Sequence, residues 1–419
     1  MTARGSGNPA KRNSVALDWL NFFLADVTGG LGPFLAIYLM YSRNWNAGQI
    51  GIVLTIGGIA TVAALGPAGA VVDGVSWKRT LIAVCAAVVA AAAVGIALDT
   101  RFWTVSLSMG ASGIADAVFP IAVTAISLGI VGRSAFTGRN GRNQAWNHAG
   151  NVVTAMVAGV AGYVIAPEAV LWMVAALAVA SALVVYCVDG RAIDNEAARG
   201  ASENDGETQE GLRYVVGNRP LLWFTAAITL FHFANAAMLP LAGEKLSQTD
   251  PRASTLFMAS CIIVAQAVMV PMAILVGRKA DFWGRKPIFL AGFASLPLRG
   301  FLFSISDNPY FTVAIQVLDG VGAGIFGALF AIIVADFTLG SRHYNLAQGV
   351  SSASWGLGAA LSNSVAGWIV DSAGFSTAFF FLAACACGAF ALFFFMVPES
   401  KDFGLPKTKA VRTPLPQQA

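Results

Sequence analysis

The chain has 419 residues, 57% of them hydrophobic and 11% charged, with a formal net charge of +4. A soluble domain runs about 45–50% apolar and about 25% charged, so the polar residues here are too few to cover a water-soluble globule. That excludes a cytosolic enzyme, a secreted disulfide scaffold and a disordered protein, and the small charge gives nucleic-acid binding no support.

Residues 1–16 are polar and carry Arg4, Lys11 and Arg12. The apolar run after them is too long for a signal-peptide core and reads as an uncleaved first helix. A helix needs about 20 mostly apolar residues to cross a hydrocarbon core about 30 Å thick. Such runs recur twelve times, over 17–41, 50–72, 80–98, 102–131, 145–166, 169–188, 221–241, 256–276, 288–305, 311–334, 349–370 and 373–397. The expected fold is therefore an all-α membrane protein of 12 transmembrane helices. The longest polar stretch, 189–219, divides it into two six-helix bundles, 1–188 and 220–400, with a tail over 401–419. The five cysteines (Cys85, Cys187, Cys261, Cys385 and Cys387) fall inside apolar runs without metal-ligand spacing. They read as small core or lipid-facing residues, and no metal or cofactor is expected.

Basic residues are retained on the cytoplasmic side of a membrane. With both termini on one side, 21 of the 26 Lys and Arg fall on that side. Only Arg43, Arg101, Lys245 and Arg252 fall opposite, and Arg299 lies within the ninth run. Both termini, the 189–219 linker and the tail are expected in the cytoplasm.

The halves repeat. Pro33 matches Pro240, Asp73 matches Asp281, and Gly113-Ile-Ala-Asp116-Ala-Val-Phe119 matches Gly320-Val-Gly-Ala323-Gly-Ile-Phe326, at near-constant offset. Parallel repeats of a six-span unit give two pseudo-symmetric bundles with a site between them near the bilayer midplane.

The loop after span 8 reads Gly277-Arg-Lys-Ala-Asp281-Phe-Trp-Gly284-Arg285-Lys286. It resembles the G-x-x-x-D-x-x-G-R-K signature of the major facilitator superfamily. The first-half copy, Gly69-Ala-Val-Val-Asp73-Gly-Val-Ser76-Trp77-Lys78-Arg79, keeps the Gly, the Asp and a basic pair. The resemblance covers residues 15–400 and implies a twelve-span bacterial transporter of the inner membrane, acting as a monomer. In such a motif glycine permits close helix approach and an Asp can face a helix N-terminus. Gly69, Asp73, Lys78, Arg79, Gly277, Asp281, Gly284, Arg285 and Lys286 are thus expected to latch the cytoplasmic face.

Ionisable groups within a span are costly and usually functional. They are Asp26, Asp116, His148, His232, Arg299 and Asp319. At about 1.5 Å per residue, Asp26, Asp116 and His232 fall near mid-depth of spans 1, 4 and 7. The resemblance implies that those spans line the central cavity. Low dielectric disfavours a charged carboxylate, so Asp116 and Asp26 are the first candidates for proton coupling or for binding a cationic group. Asn21 is a candidate partner for a buried acid, and His148 is expected to line the inner vestibule. Arg299 and Asp319 share a depth and have opposite charge, which suggests a structural ion pair.

The sequence departs from the family at two places. Met109 and Ser112 stand where many proton-coupled members have Arg and Gln in span 4, and the span 5 antiporter signature stops after Gly150 and Gly159. Pro33, Pro120 and Pro240 are candidate gating kinks. No catalytic motif is present, so an enzyme is not expected. The function expected is proton-coupled efflux of a small neutral or cationic organic molecule by alternating access. Uptake on the same fold is the alternative, and a non-transporting sensor a more distant one.

Overall fold

The computed structural model describes residues 9–27, 31–199, 208–249, 253–341 and 343–401, and these contain helices and no strand. Parts of the expected linker (200–207) and tail (402–419) lie outside them. The first bundle comprises α1 (Pro9–Val27), α2 (Leu31–Ile37) with a π-turn over Tyr38–Ser42, α3 (Ala47–Gly74), α4 (Lys78–Leu98), α5 (Phe102–Val164) and α6 (Ala169–Val184). Short helices α7 (Asn195–Arg199) and α8 (Thr208–Gly217) occupy the linker. The second bundle comprises α9 (Arg219–Ala236), α10 (Met238–Thr249), α11 (Ser254–Trp283), α12 (Arg285–Ile305), α13 (Pro309–Phe337), α14 (Tyr344–Ala373) and α15 (Phe375–Met396).

Nine helical stretches among the described residues are long and apolar enough to cross a membrane. The other three of the expected twelve spans are α1 with α2, the part of α5 after Gly132, and α14. They are helical too, but more polar or interrupted. Several boundaries differ from expectation: α1 begins at Pro9, ahead of 17, and α11 runs to Trp283, so Gly277 and Asp281 lie on a helix and not in a loop. Residues 133–144, expected as a loop, continue α5 as helix, and only Gly132 at φ 69° breaks it. Span 7 does not end at 241, because α10 carries the helix on to Thr249 and takes in Glu244 and Lys245.

Local chemistry sets the helix starts. Asn46 caps α3 in a reciprocal box, accepting from the Gln49 amide at 2.8 Å. Asn308 likewise accepts from the Tyr310 amide ahead of Pro309, whose missing donor is harmless at a first helical position. Each bundle has its own apolar core. Large apolar side chains on the outside, such as Leu98, Trp103, Ile165 and Phe395, are exposed as a lipid-facing surface requires.

The bundles meet along α3 with α14, α5 with α11, and α2 with α10. On α3 the contacts run in register from the face opposite the termini. Gly48 meets Asp371, Gly51 meets the Asn363 backbone, Thr55 donates to the Ala360 carbonyl at 2.7 Å, and Gly356 meets Val62. Further toward the termini, Gly66, Gly69 and Gly349 face open space. Gly159 against Ala259 and Gly162 against Thr255 close the same side between α5 and α11. A third apolar cluster, including Phe34, Ile37, Met258 and Cys261, spans both bundles there. The molecule is sealed at the face away from its termini.

Candidate functional site

A cavity of about 420 Å³ lies between the bundles, bounded by α1, α2, α3, α5, α9, α10, α12, α13 and α14. That is the size of a small-molecule site, which usually spans about 300–1,000 Å³. Its walls are apolar apart from a few groups: Thr61, Ser112, Asp116, Asn235, Arg299, Asp319 and Asn363.

Asp116 stands on α5 one turn after Gly113. A Cβ on Gly113 would collide with the Gly57 carbonyl, so this glycine lets α5 press against α3 and sets the acid's position. Asp116 Oδ1 is buried and has no hydrogen-bond partner among the described residues. The carboxyl also borders a second cavity of about 260 Å³ inside the first bundle, lined by Asn21, Asn140, Asn143, Gln144 and Asn147. It therefore stands between the central cavity and an amide-lined inner one.

Arg299 is 1% exposed. Its Nη1 donates to Asp319 Oδ1 at 2.7 Å and to Asn235 Oδ1 at 2.6 Å, and its Nη2 donates to Gln316 Oε1 at 3.1 Å. The pair expected as purely structural thus lies on the wall of the central cavity. Its charges answer each other, so the cavity gains polarity without a free cation.

The other candidates are dispersed. Asp26 belongs to α1, but its side chain lies outside the described residues. Asn21 donates to the Leu17 carbonyl at 2.7 Å and lines the inner cavity. His232 bonds through Nδ1 to the Ile228 carbonyl at 2.9 Å and packs against Phe326 and Trp355. It borders a smaller cavity of about 140 Å³ that Arg299, Asp319 and Ala323 share. His148 reaches across the bundles, its Nδ1 3.0 Å from Gln266 Oε1.

The motif residues are knit within their own bundles. Lys78, buried, donates to the Val75 carbonyl, and Arg79 donates to the Val188 carbonyl. Arg285 pairs with Asp336 at 2.6 Å and only at 3.7 Å with Asp281, which is 79% exposed. Lys401 Nζ donates to the Asp281 carbonyl. The Arg285 and Lys286 amides both donate to Glu399, and Lys286 Nζ reaches the Phe394 carbonyl. Asp73 closes the last turn of α3. Gly284 adopts φ 83°, a conformation glycine adopts at no steric cost. Gly69 and Gly277 face open space, so the close helix approach expected of them is not made in this conformation. The bundles stand apart at that face.

Sequence reasoning passed over five residues. Asp18, buried in α1, binds Arg139 and Arg142 at 2.5 Å each. It was hidden as the second residue of an apolar run. Glu399 caps α12 from beyond span 12, and Glu244 was assigned to a loop. Asn235 and Asn363, neutral, gave no charge signal.

The comparisons with known proteins agree with this architecture. The Major Facilitator Superfamily profile matches residues 17–296 and 236–417. The chain belongs to the major facilitator superfamily. An uncharacterized MFS-type transporter of Mycobacterium tuberculosis is 48% identical over 390 residues, covering 92% of this chain and 93% of its own length. The solved nucleoside transporter NupG superposes with a TM-score of 0.76 at 17% identity, covering 93% of this chain and 99% of its own. The multidrug transporter protein MdtP of Bacillus subtilis is 26% identical over 124 residues, 30% of this chain and 22% of its own. The protein is a multi-pass membrane transporter of this superfamily.

Proposed function

We propose that this transporter exports a small neutral or cationic organic molecule in exchange for protons, with Asp116 as the proton carrier. The observation that carries the reading is the unpartnered Asp116 carboxyl, placed between the central and inner cavities. An ionised group so placed has no compensating partner, whereas a proton or a substrate cation supplies one. Competition between the two for one carboxyl is the simplest form of exchange. The Arg299–Asp319 bond leaves no unpaired guanidinium to attract an anion. Export takes its support from the partial likeness to a multidrug transporter. The Lys and Arg bias supports cytoplasmic termini; with that orientation the sealed face is external and the cavity awaits a cytoplasmic substrate.

The test is transport in proteoliposomes with an imposed pH gradient. Asp116→Asn is expected to abolish gradient-driven movement while substrate counterflow persists. Uphill transport at the normal rate by Asp116→Asn removes Asp116 as the carrier. Accumulation driven along the proton gradient, in place of extrusion against it, reverses the direction to uptake.

A further inference from the structure

Glu244 is a buried acid that this coupling scheme leaves unused. It is 1% exposed, and its Oε2 has no hydrogen-bond partner among the described residues. Burying a charge without a partner costs far more than burying the neutral acid. Among the described residues no cation compensates it. Lys245 is bound to Asp307 at 2.7 Å and to the Phe303 and Ser306 carbonyls. Arg43 holds the Tyr38 hydroxyl at 2.9 and 3.0 Å. Among the helices packed on α10, α2 and α15 contain no charged residue, and those of α11 lie at its far end. His232 of α9 is bonded to Ile228, and Asp319 of α13 to Arg299. The charged side chain that shares a recess with the next turn of α10 is another carboxylate, Asp371 of α14.

Both acids belong to the seal between the bundles. The residue before Glu244, Gly243, stands against Pro33 and Ile37 of the first bundle. Asp371 Oδ2 accepts from the Gly48 amide of the first bundle at 2.9 Å. Gly48 is in the first turn of α3, where free amides and the helix dipole favour an anion. The next turn of α10 (Ser247 and Gln248), Asp371 and Ala47 line one recess of about 680 Å³.

We propose that Glu244 is a proton-binding site of the external gate, protonated while the gate is shut and ionised when the bundles part. In the shut gate a neutral Glu244 leaves Asp371 undisturbed on the end of α3. An ionised Glu244 would repel Asp371 and weaken that cross-bundle bond. Opening separates α10 from α2 and admits water, which solvates the carboxylate. The shut state therefore binds the proton more tightly, so external acid holds the gate closed and external alkali frees it. Glu244 lines none of the three inner cavities, so this proton returns to the side it came from and is distinct from the one on Asp116.

The assignment of this gate to the outside rests on the orientation given above, and the test separates the two. Ala47, 1% exposed at the seal opposite Gly367, is changed to Cys and labelled with a membrane-impermeant maleimide. The protein without that change serves as blank, and rates are corrected for thiol ionisation with a free thiol. In right-side-out vesicles, labelling is expected to rise with external pH, by at most about ten-fold per unit for one proton. Glu244→Gln is expected to label slowly throughout, and Glu244→Asp to restore the pH response with a moved midpoint. An unaltered pH response in Glu244→Gln overturns the proposal. Should that variant fail to reach the membrane, an unmoved midpoint in Glu244→Asp does the same. A pH response seen only in inverted vesicles keeps the proton site and overturns the orientation.

Discussion

Arg299 Nη1 lies 2.7 Å from Asp319 Oδ1, joining α12 to α13 at the wall of the central cavity. The same nitrogen holds Asn235 of α9 at 2.6 Å, so one guanidinium ties three helices of the second bundle. Its fixed fork of donors suits that task, which a lysine ammonium on a flexible stem would not match.

Removing the Asp319 charge leaves Arg299 buried without its counter-ion, at a cost of about 3–5 kcal/mol. Removing Arg299 instead leaves Asp319, 21% exposed, unpaired at a smaller cost. Arg299→Leu and Asp319→Asn are each expected to lower the thermal unfolding midpoint of the purified protein. The double variant should recover most of the loss. Strictly additive losses would show that the bond is not a stabilising unit.

Asp18 makes a second such test. Arg139 is buried with it, while Arg142 remains half exposed. Asp18→Asn should cost about 3–5 kcal/mol by stranding Arg139. Arg142→Ala should cost no more than about 1 kcal/mol, because its exposed charge is already solvated. Denaturation of the two variants side by side reads the difference, and equal losses would contradict it.

Gly51 and Gly113 are both pressed against backbone, but in different places. A side chain at Gly51 meets Asn363 of the other bundle, and one at Gly113 meets Gly57 of its own. Gly51→Val is therefore expected to wedge the seal open without unfolding either bundle. Gly113→Val is expected to lower thermal stability instead. Maleimide labelling at the seal together with melting temperatures distinguishes them; a Gly51→Val protein that stays sealed would refute the register.

Asp281 and Asp336 share Arg285 unequally, at 3.7 and 2.6 Å. Asp281→Asn should leave stability almost unchanged, since an exposed pair contributes about 0–1 kcal/mol. It should slow transport with substrate affinity within a few-fold, the change falling on the balance of conformations. Asp336→Asn should destabilise measurably. Complete loss of equilibrium substrate binding in Asp281→Asn would contradict a role away from the site.

The sequence by itself determined the class, the repeat and the placement of the acids in depth. Apolar runs long enough to span a bilayer leave helices as the sole solution for the backbone within a chain of this composition. The constant offset from Pro33 to Pro240 and from Gly113 to Gly320 argues for duplication without coordinates. Asp116 and Arg299 stood out because charge is rare in such runs.

What only the tertiary structure decided is which of these groups meet. Depth along a helix says nothing about azimuth, and in a bundle the azimuth selects the cavity, the core or the lipid. That is why Asp116 and Asp319 share a cavity while His232 turns to another. Helix ends were equally out of reach, because a few polar residues in a long helix read as a loop. Glu244 was lost that way, while Asp18 was hidden at the start of an apolar run, although both are buried among packed helices. The conformation itself, sealed from Gly48–Asp371 to Val62–Gly356 and parted beyond, depends on contacts between residues about 300 positions apart. No local pattern encodes such contacts, because residues so remote in sequence meet only once both bundles have packed.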